Sequence, residues 1–280
     1  MMLTLSSVSK HLTLISRSFL WLAGVGICLV ASQVQAAKWQ VCLDENPWPP
    51  YSYPISEQDN QLTGYTVDIA TQVLSYLRLD YEFVKLPWAE VHQRAKNYQK
   101  NAQCDMVLDV SLTPERQSYL YFSQPLYQLK YSLVYDNGRV DVANLRQNIK
   151  TRQFCGVQGY NYGVLADFLA IRRLDSIQNV LDALNNKQCD FFIIEAAVLQ
   201  NAIKKQLYQF SNMGCINLEG ATKTYRLGIA KKTPQSVAYS AAIDKHINLL
   251  RRQGVLSQLT DHYSLEAKSC QGSLSLNSLR

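Results

Sequence analysis

The chain has 280 residues, a formal charge of +6, 47% hydrophobic residues and seven cysteines. That length accommodates one large domain or two modest lobes. The positive charge forms no basic stripe interleaved with aromatics, so no nucleic-acid partner is expected, and its mild excess favours anionic ligands.

In chain order, a leader comes first. Lys10 and Arg17 precede an apolar run over residues 19–30, and Val34-Gln35-Ala36 follows with small residues where a cleavage site needs them. These are the parts of a signal peptide covering residues 1–36, cut after Ala36. The run is too short to span a bilayer comfortably, and no later stretch is apolar enough to do so. Cys28 fits a lipid-anchor site poorly, because Ile27 precedes it and the apolar core continues past it.

Next come a strand at residues 39–44, a loop rich in Pro and aromatics at 45–53, and a helix at 65–77. Val67, Ala70, Val73, Leu74 and Leu77 recur in that helix at helical spacing. A strand at 80–85, a mostly helical stretch at 87–100, a strand at 105–109 and a turn at Thr113-Pro114 follow. Residues 127–135 alternate like an extended connector. A second unit runs over 154–218, and residues 225–230 form a second connector. An amphipathic helix at 237–252 is ended by Gly254, and a shorter one ends near Tyr263. The Ser/Gly/Asn-rich end reads as a flexible tail at 271–280, unless Cys270 tethers it.

Six cysteines remain once Cys28 is removed with the leader, an even number that suits disulfides in an exported chain. None forms a CxxC and no His stands at ligand spacing from them, so no metal is expected. An internal repeat selects the pairing. Val41-Cys42-Leu43 is followed later by Gln103-Cys104-Asp105-Met106-Val107-Leu108. Phe154-Cys155-Gly156-Val157 is followed by Gln188-Cys189-Asp190-Phe191-Phe192-Ile193. Each pair reads as two strands of a small parallel sheet, buried on both faces. The repeat joins Cys42 to Cys104 and Cys155 to Cys189. Cys215 and Cys270 are left over, and a bond between them stays open.

Four segments give the chain a family resemblance. They are Trp48-Pro49-Pro50-Tyr51, Gly64-Tyr65-Thr66-Val67-Asp68-Ile69-Ala70, Thr113-Pro114-Glu115-Arg116 with Phe122-Ser123-Gln124-Pro125-Leu126-Tyr127, and Cys189-Asp190 through Ile194-Glu195. In this order the chain resembles the family 3 extracellular solute-binding proteins, periplasmic receptors of polar amino-acid ABC importers, over about residues 39–263. The resemblance implies an α/β fold of the type II periplasmic binding kind. Two similar lobes would be joined by two hinge strands near residues 126–130 and 222–226. Lobe one would use residues 38–126 and 226–270, and lobe two residues 127–225.

The same resemblance implies a ligand-binding set. Arg116 would take a carboxylate with its planar fork, helped by Ser111. Glu195 would take the ligand ammonium, or else cap the helix that follows it. Trp48 would stack on the ligand side chain, and Tyr51 would pack in the core. Glu45 stands where some relatives contact basic side chains. Two departures stand out. Asp109 occupies a position usually small or hydroxylic, and Tyr160-Asn161 replaces a Gly-Thr pair ahead of a lobe-two helix. Trp88 and Tyr127 are possible cleft walls, with core packing the commoner role. The implied function is capture of an amino acid or related small carboxylate by a periplasmic monomer that serves an inner-membrane ABC permease, with no cofactor and no catalysis. The rival readings are a dehydratase-like enzyme using Glu195 or Asp109 as general acid, and a sensing partner of a membrane receptor.

Overall fold

The computed structural model describes residues 38–56, 61–97, 103–140, 145, 149–265, 270 and 272–279. The leader expected at residues 1–36 lies outside them. Among the described residues, no helix is long and apolar enough to cross a membrane.

Apolar runs build one curled ten-stranded sheet. Strands β1 (Trp39–Asp44), β4 (Tyr81–Leu86) and β5 (Met106–Ser111) run parallel at one end. Strands β8 (Phe154–Val157), β9 (Ile171–Leu174) and β10 (Phe191–Ile194) run parallel at the other. Every residue of β5, β8 and β10 is buried, which is why these strands read as continuous apolar runs rather than alternating ones. Two short strands, β2 (Tyr53–Pro54) and β3 (Leu62–Thr63), form a separate pair, and β6 (Leu120–Phe122) joins the large sheet.

The repeated Gln-Cys-Asp string has a structural cause. Asp105 accepts from the backbone of Gln40 at 2.8 Å and donates its own N–H to the carbonyl of Gln40. Asp190 does the same with Gln153, at 2.9 Å. Each aspartate thus clamps the start of the neighbouring strand, and the adjacent cysteine bonds into it. Cys42 pairs with Cys104 (Cα–Cα 5.5 Å) and Cys155 with Cys189 (6.0 Å).

Two long strands belong to both ends. β7 (Tyr127–Asp136) pairs with β10, and β11 (Met213–Ala230) pairs with β5. They also pair with each other, with a register break between Asn217 and Thr222, beyond which Thr222–Tyr225 lies against Lys130–Tyr127. The second connector, read from sequence as residues 225–230, is therefore the end of an 18-residue strand. A strand buried on alternate residues (Ala221, Lys223, Tyr225, Leu227) has a weak apolar signal at its polar end.

Helices cover the sheet. α1 (Tyr65–Tyr76) starts at Gly64, whose φ of +130° and contact with the Tyr51 carbonyl leave no room for a Cβ. Asp68, from the same motif, accepts from Tyr263 Oη at 2.7 Å. That bond ties α1 to the end of the C-terminal pair α6 (Gln235–Arg252) and α7 (Val255–His262), numbered here after α2 (Trp88–Lys96), α3 (Pro114–Tyr119), α4 (Ile177–Asn185) and α5 (Ala196–Lys204). Gly254 separates α6 from α7 in the left-handed conformation, at φ 75°.

Three further features differ from the sequence expectation. Thr113-Pro114 opens a helix rather than a bare turn, because Thr113 Oγ1 caps it by accepting from the Arg116 N–H at 3.1 Å. The segment after Tyr160-Asn161 is only a five-residue 3-10 turn, Gly163–Asp167, with no full helix. The tail expected to be flexible forms strand β12 (Gly272–Ser275), parallel to β11, with Leu274 and Leu279 buried. The bond between Cys215 and Cys270 brings that segment to the sheet edge.

Candidate functional site

The two ends of the sheet face each other across β7 and β11, and a small cavity of about 30 Å3 lies between them. Trp48, Asp109, Ser111, Arg116, Tyr160 and Asn161 all border it, so six of the seven residues expected to hold ligand are brought together. The space suffices for one or two waters. The seventh, Glu195, is 1% exposed and meets the cavity through Lys223 and Tyr225, both of which border it.

Arg116 sits three residues after the Thr113 cap, which turns its guanidinium back onto the end of β5. Nη1 donates to the Ser111 carbonyl (2.9 Å) and to Ser111 Oγ (2.8 Å). Nη2 crosses to the Gly159 carbonyl at 2.9 Å. The group is 5% exposed and lies 5.7 Å from the centroid of the Trp88 ring. Burial lowers its pKa, and among the described residues no carboxylate pairs with it. A buried cation held only by neutral acceptors favours an anion. Arg116 also lines a wider groove of about 400 Å3, together with residues that include His92 and Arg173.

Asp109 faces the same cavity, but its oxygens are occupied. It accepts from Ser52 Oγ (2.6 Å), Thr66 Oγ1 (2.6 Å) and Tyr127 Oη (2.7 Å). Burial raises its pKa against the lowering effect of these hydroxyls. Asp109 also has φ 50°, a left-handed conformation that Asp tolerates better than most residues. Sequence gave no sign of those three donors, which lie in distant segments.

Tyr160 and Asn161 reach across the cavity. Tyr160 Oη donates to Asp44 Oδ2 at 2.7 Å, and Asn161 Nδ2 donates to Ser111 Oγ at 3.1 Å. Burial pushes Asp44 up to about 6. Trp48 lies edge-on to Tyr160, with ring centres 5.9 Å apart, and tilted against Tyr225 at 6.0 Å. Tyr51 stacks on Tyr127 at 3.7 Å, within the core. Glu45 is exposed and borders no part of the cavity.

Asp44, Ser52, Tyr225 and Lys223 border the cavity too, and sequence reasoning missed all four; Lys223 is the cation among them. Its ammonium is 2.7 Å from Glu195 Oε1 and donates to the Asn161 carbonyl at 3.1 Å. It stands 4.7 Å from the Tyr131 ring centre and 5.4 Å from that of Tyr225. Burial lowers its pKa, while Glu195 raises it. Tyr225 Oη also donates to Glu195 Oε1, at 2.7 Å. Glu195 stands at the N-cap of α5 but makes no side-chain cap bond. The signal for Lys223 was present, since it shares the inward face of its strand with Tyr225 two residues on.

The family model for bacterial extracellular solute-binding proteins, family 3, matches residues 40–266. No curated protein sequence matches the chain. Solved structures share the fold. One is an amino acid ABC transporter substrate-binding protein, AbpA, from Streptococcus pneumoniae, bound to L-arginine: 21% identity, TM-score 0.66, covering 81% of this chain and 94% of that one. A histidine kinase sensor domain with similarity to periplasmic binding proteins gives 16% and 0.67, over 83% and 97%. An ancestral amino-acid-binding protein, precursor of cyclohexadienyl dehydratase, gives 15% and 0.64, over 81% and 95%.

Proposed function

The chain belongs to the bacterial extracellular solute-binding proteins of family 3, and from that premise we propose that it captures a small polar carboxylate, an amino acid or a close relative, for an inner-membrane ABC importer. The observation that carries this reading is Arg116, a buried guanidinium at the cavity with which no carboxylate pairs among the described residues. A carboxylate could replace the Ser111 and Gly159 acceptors with two parallel charge-assisted bonds.

The mechanism is a population shift. Residues 38–126 with 226–270 act as one lobe and 127–225 as the other, hinged at the paired segments of β7 and β11. The Arg116–Gly159, Tyr160–Asp44 and Asn161–Ser111 bonds all cross between them. A ligand that adds bonds to both walls stabilises the closed form over the open one by its differential affinity alone. The closed form then docks on the permease as a monomer. The protein works without a cofactor or catalysis, in the periplasm, after cleavage at Ala36. The three disulfides suit an oxidising compartment.

The test is a thermal-shift screen of amino acids and small carboxylates followed by calorimetry, because a ligand specific to the folded state raises its stability. Saturable binding of a small carboxylate supports the reading, and no binding across the screen refutes it.

A further inference from the structure

From the contacts of Lys223 we propose that this site selects carboxylates that lack a free α-ammonium group, such as α-hydroxy or α-keto acids, over the corresponding amino acids. The inference rests on the ligand-capture reading and narrows its substrate class. Glu195 is a buried second-lobe acid that touches two cavity-lining residues, Lys223 and Tyr225, and the ammonium it could take is already supplied by the protein. Lys223 Nζ lies 2.7 Å from Glu195 Oε1, donates to the Asn161 carbonyl at 3.1 Å and packs between the Tyr131 and Tyr225 rings. Acid, carbonyl and aromatic faces are what a bound ammonium needs, and a tethered one has given up little freedom to stay there.

The two acids that border the cavity are also engaged. Asp109 accepts from three hydroxyls. Asp44 accepts from Tyr160 and from both the backbone and side chain of Asn46. A ligand ammonium would therefore enter beside two buried cations, Arg116 and Lys223, with no free acid to meet it among the described residues. A carboxylate without an amine meets only the cation that lacks an acid. Asn161, which faces both Lys223 and Ser111, and the Tyr160 ring would then read the rest of the ligand.

The experiment compares each standard L-amino acid with its α-hydroxy and α-keto counterparts, by thermal shift and then calorimetry. It uses the wild type, Lys223→Ala and the charge-neutral double variant Lys223→Ala/Glu195→Gln. For the side chain that binds, the wild type should favour the amine-free acid by about tenfold or more in Kd. Lys223→Ala should reverse that order by freeing Glu195. Should Lys223→Ala fold poorly with its acid unpaired, the double variant removes both charges. It should gain no affinity for the amino acid, unlike Lys223→Ala. Wild-type affinity for an amino acid equal to or above that for its amine-free partner overturns this inference. If that affinity is lost in Arg116→Ala, ligand capture itself still stands. Absence of binding by every compound overturns both.

Discussion

Arg116 Nη2 donates to the carbonyl of Gly159 over 2.9 Å, so a cation rooted in one half of the protein is held by the backbone of the other. In the proposed closing mechanism, that bond places the guanidinium where the two walls meet. Arg116→Ala should cost ligand binding about 2–5 kcal/mol, enough to erase a thermal shift. The unliganded protein should melt nearly where the wild type does, because removing a buried charge without an acid partner offsets the three lost hydrogen bonds. Calorimetry and melting curves check both halves, and undiminished affinity would reject Arg116 as the anchor.

Asp44 predicts a pH dependence. Its folded-state pKa is raised from 3.8 to about 6 by burial, so the folded chain holds this proton more tightly than the unfolded one. The resulting stabilisation is complete below about pH 4 and is lost as pH rises through about 6. Asp44→Asn keeps a polar partner for Tyr160 and removes the ionisation. Relative to wild type, it should gain stability between pH 4 and 7, on the order of 1–3 kcal/mol. Melting temperatures across that range would show it, and a constant difference between the two proteins would contradict it.

Asp109 is a structural acid by its contacts. Asp109→Ala leaves three hydroxyls without their acceptor and puts a poorly suited residue at φ 50°, for a cost of about 2–4 kcal/mol. Asp109→Asn, which tolerates that backbone and keeps one acceptor, should cost less than half as much. Chemical denaturation of the two variants tests the ordering.

The third disulfide holds the C-terminal segment. Replacing Cys215 and Cys270 together by Ser should cost about 2–4 kcal/mol. It should also speed hydrogen exchange over residues 272–279 while leaving ligand affinity unchanged. Exchange mass spectrometry with a binding assay measures both, and unchanged protection over β12 would show that Leu274 and Leu279 hold it alone.

Much of the fold was legible before any coordinates, for identifiable reasons. The runs Met106-Val107-Leu108 and Phe191-Phe192-Ile193-Ile194 are buried on both faces, so composition alone marked them as strands. The Gln-Cys-Asp repeat exposed two of the three disulfides, because cysteine and aspartate serve the same local clamp twice. Gly64 was legible as a motif residue, and its close approach to Tyr51 gives the reason. The tail was misread because Ser and Gly dominate its composition, while two leucines and a cysteine decide its place.

Sequence by itself determined the apolar strands, the repeat and the presence of Arg116 beside its cap, since each depends on neighbours a few residues away. Tertiary structure alone decided which charges meet. Lys223 and Glu195 are separated along the chain by a helix and most of a strand, and only the pairing of β11 with β7, and of β7 with β10, sets them 2.7 Å apart. Electrostatic partnership depends on distance in space and on exclusion of water, and neither is written in local residue order.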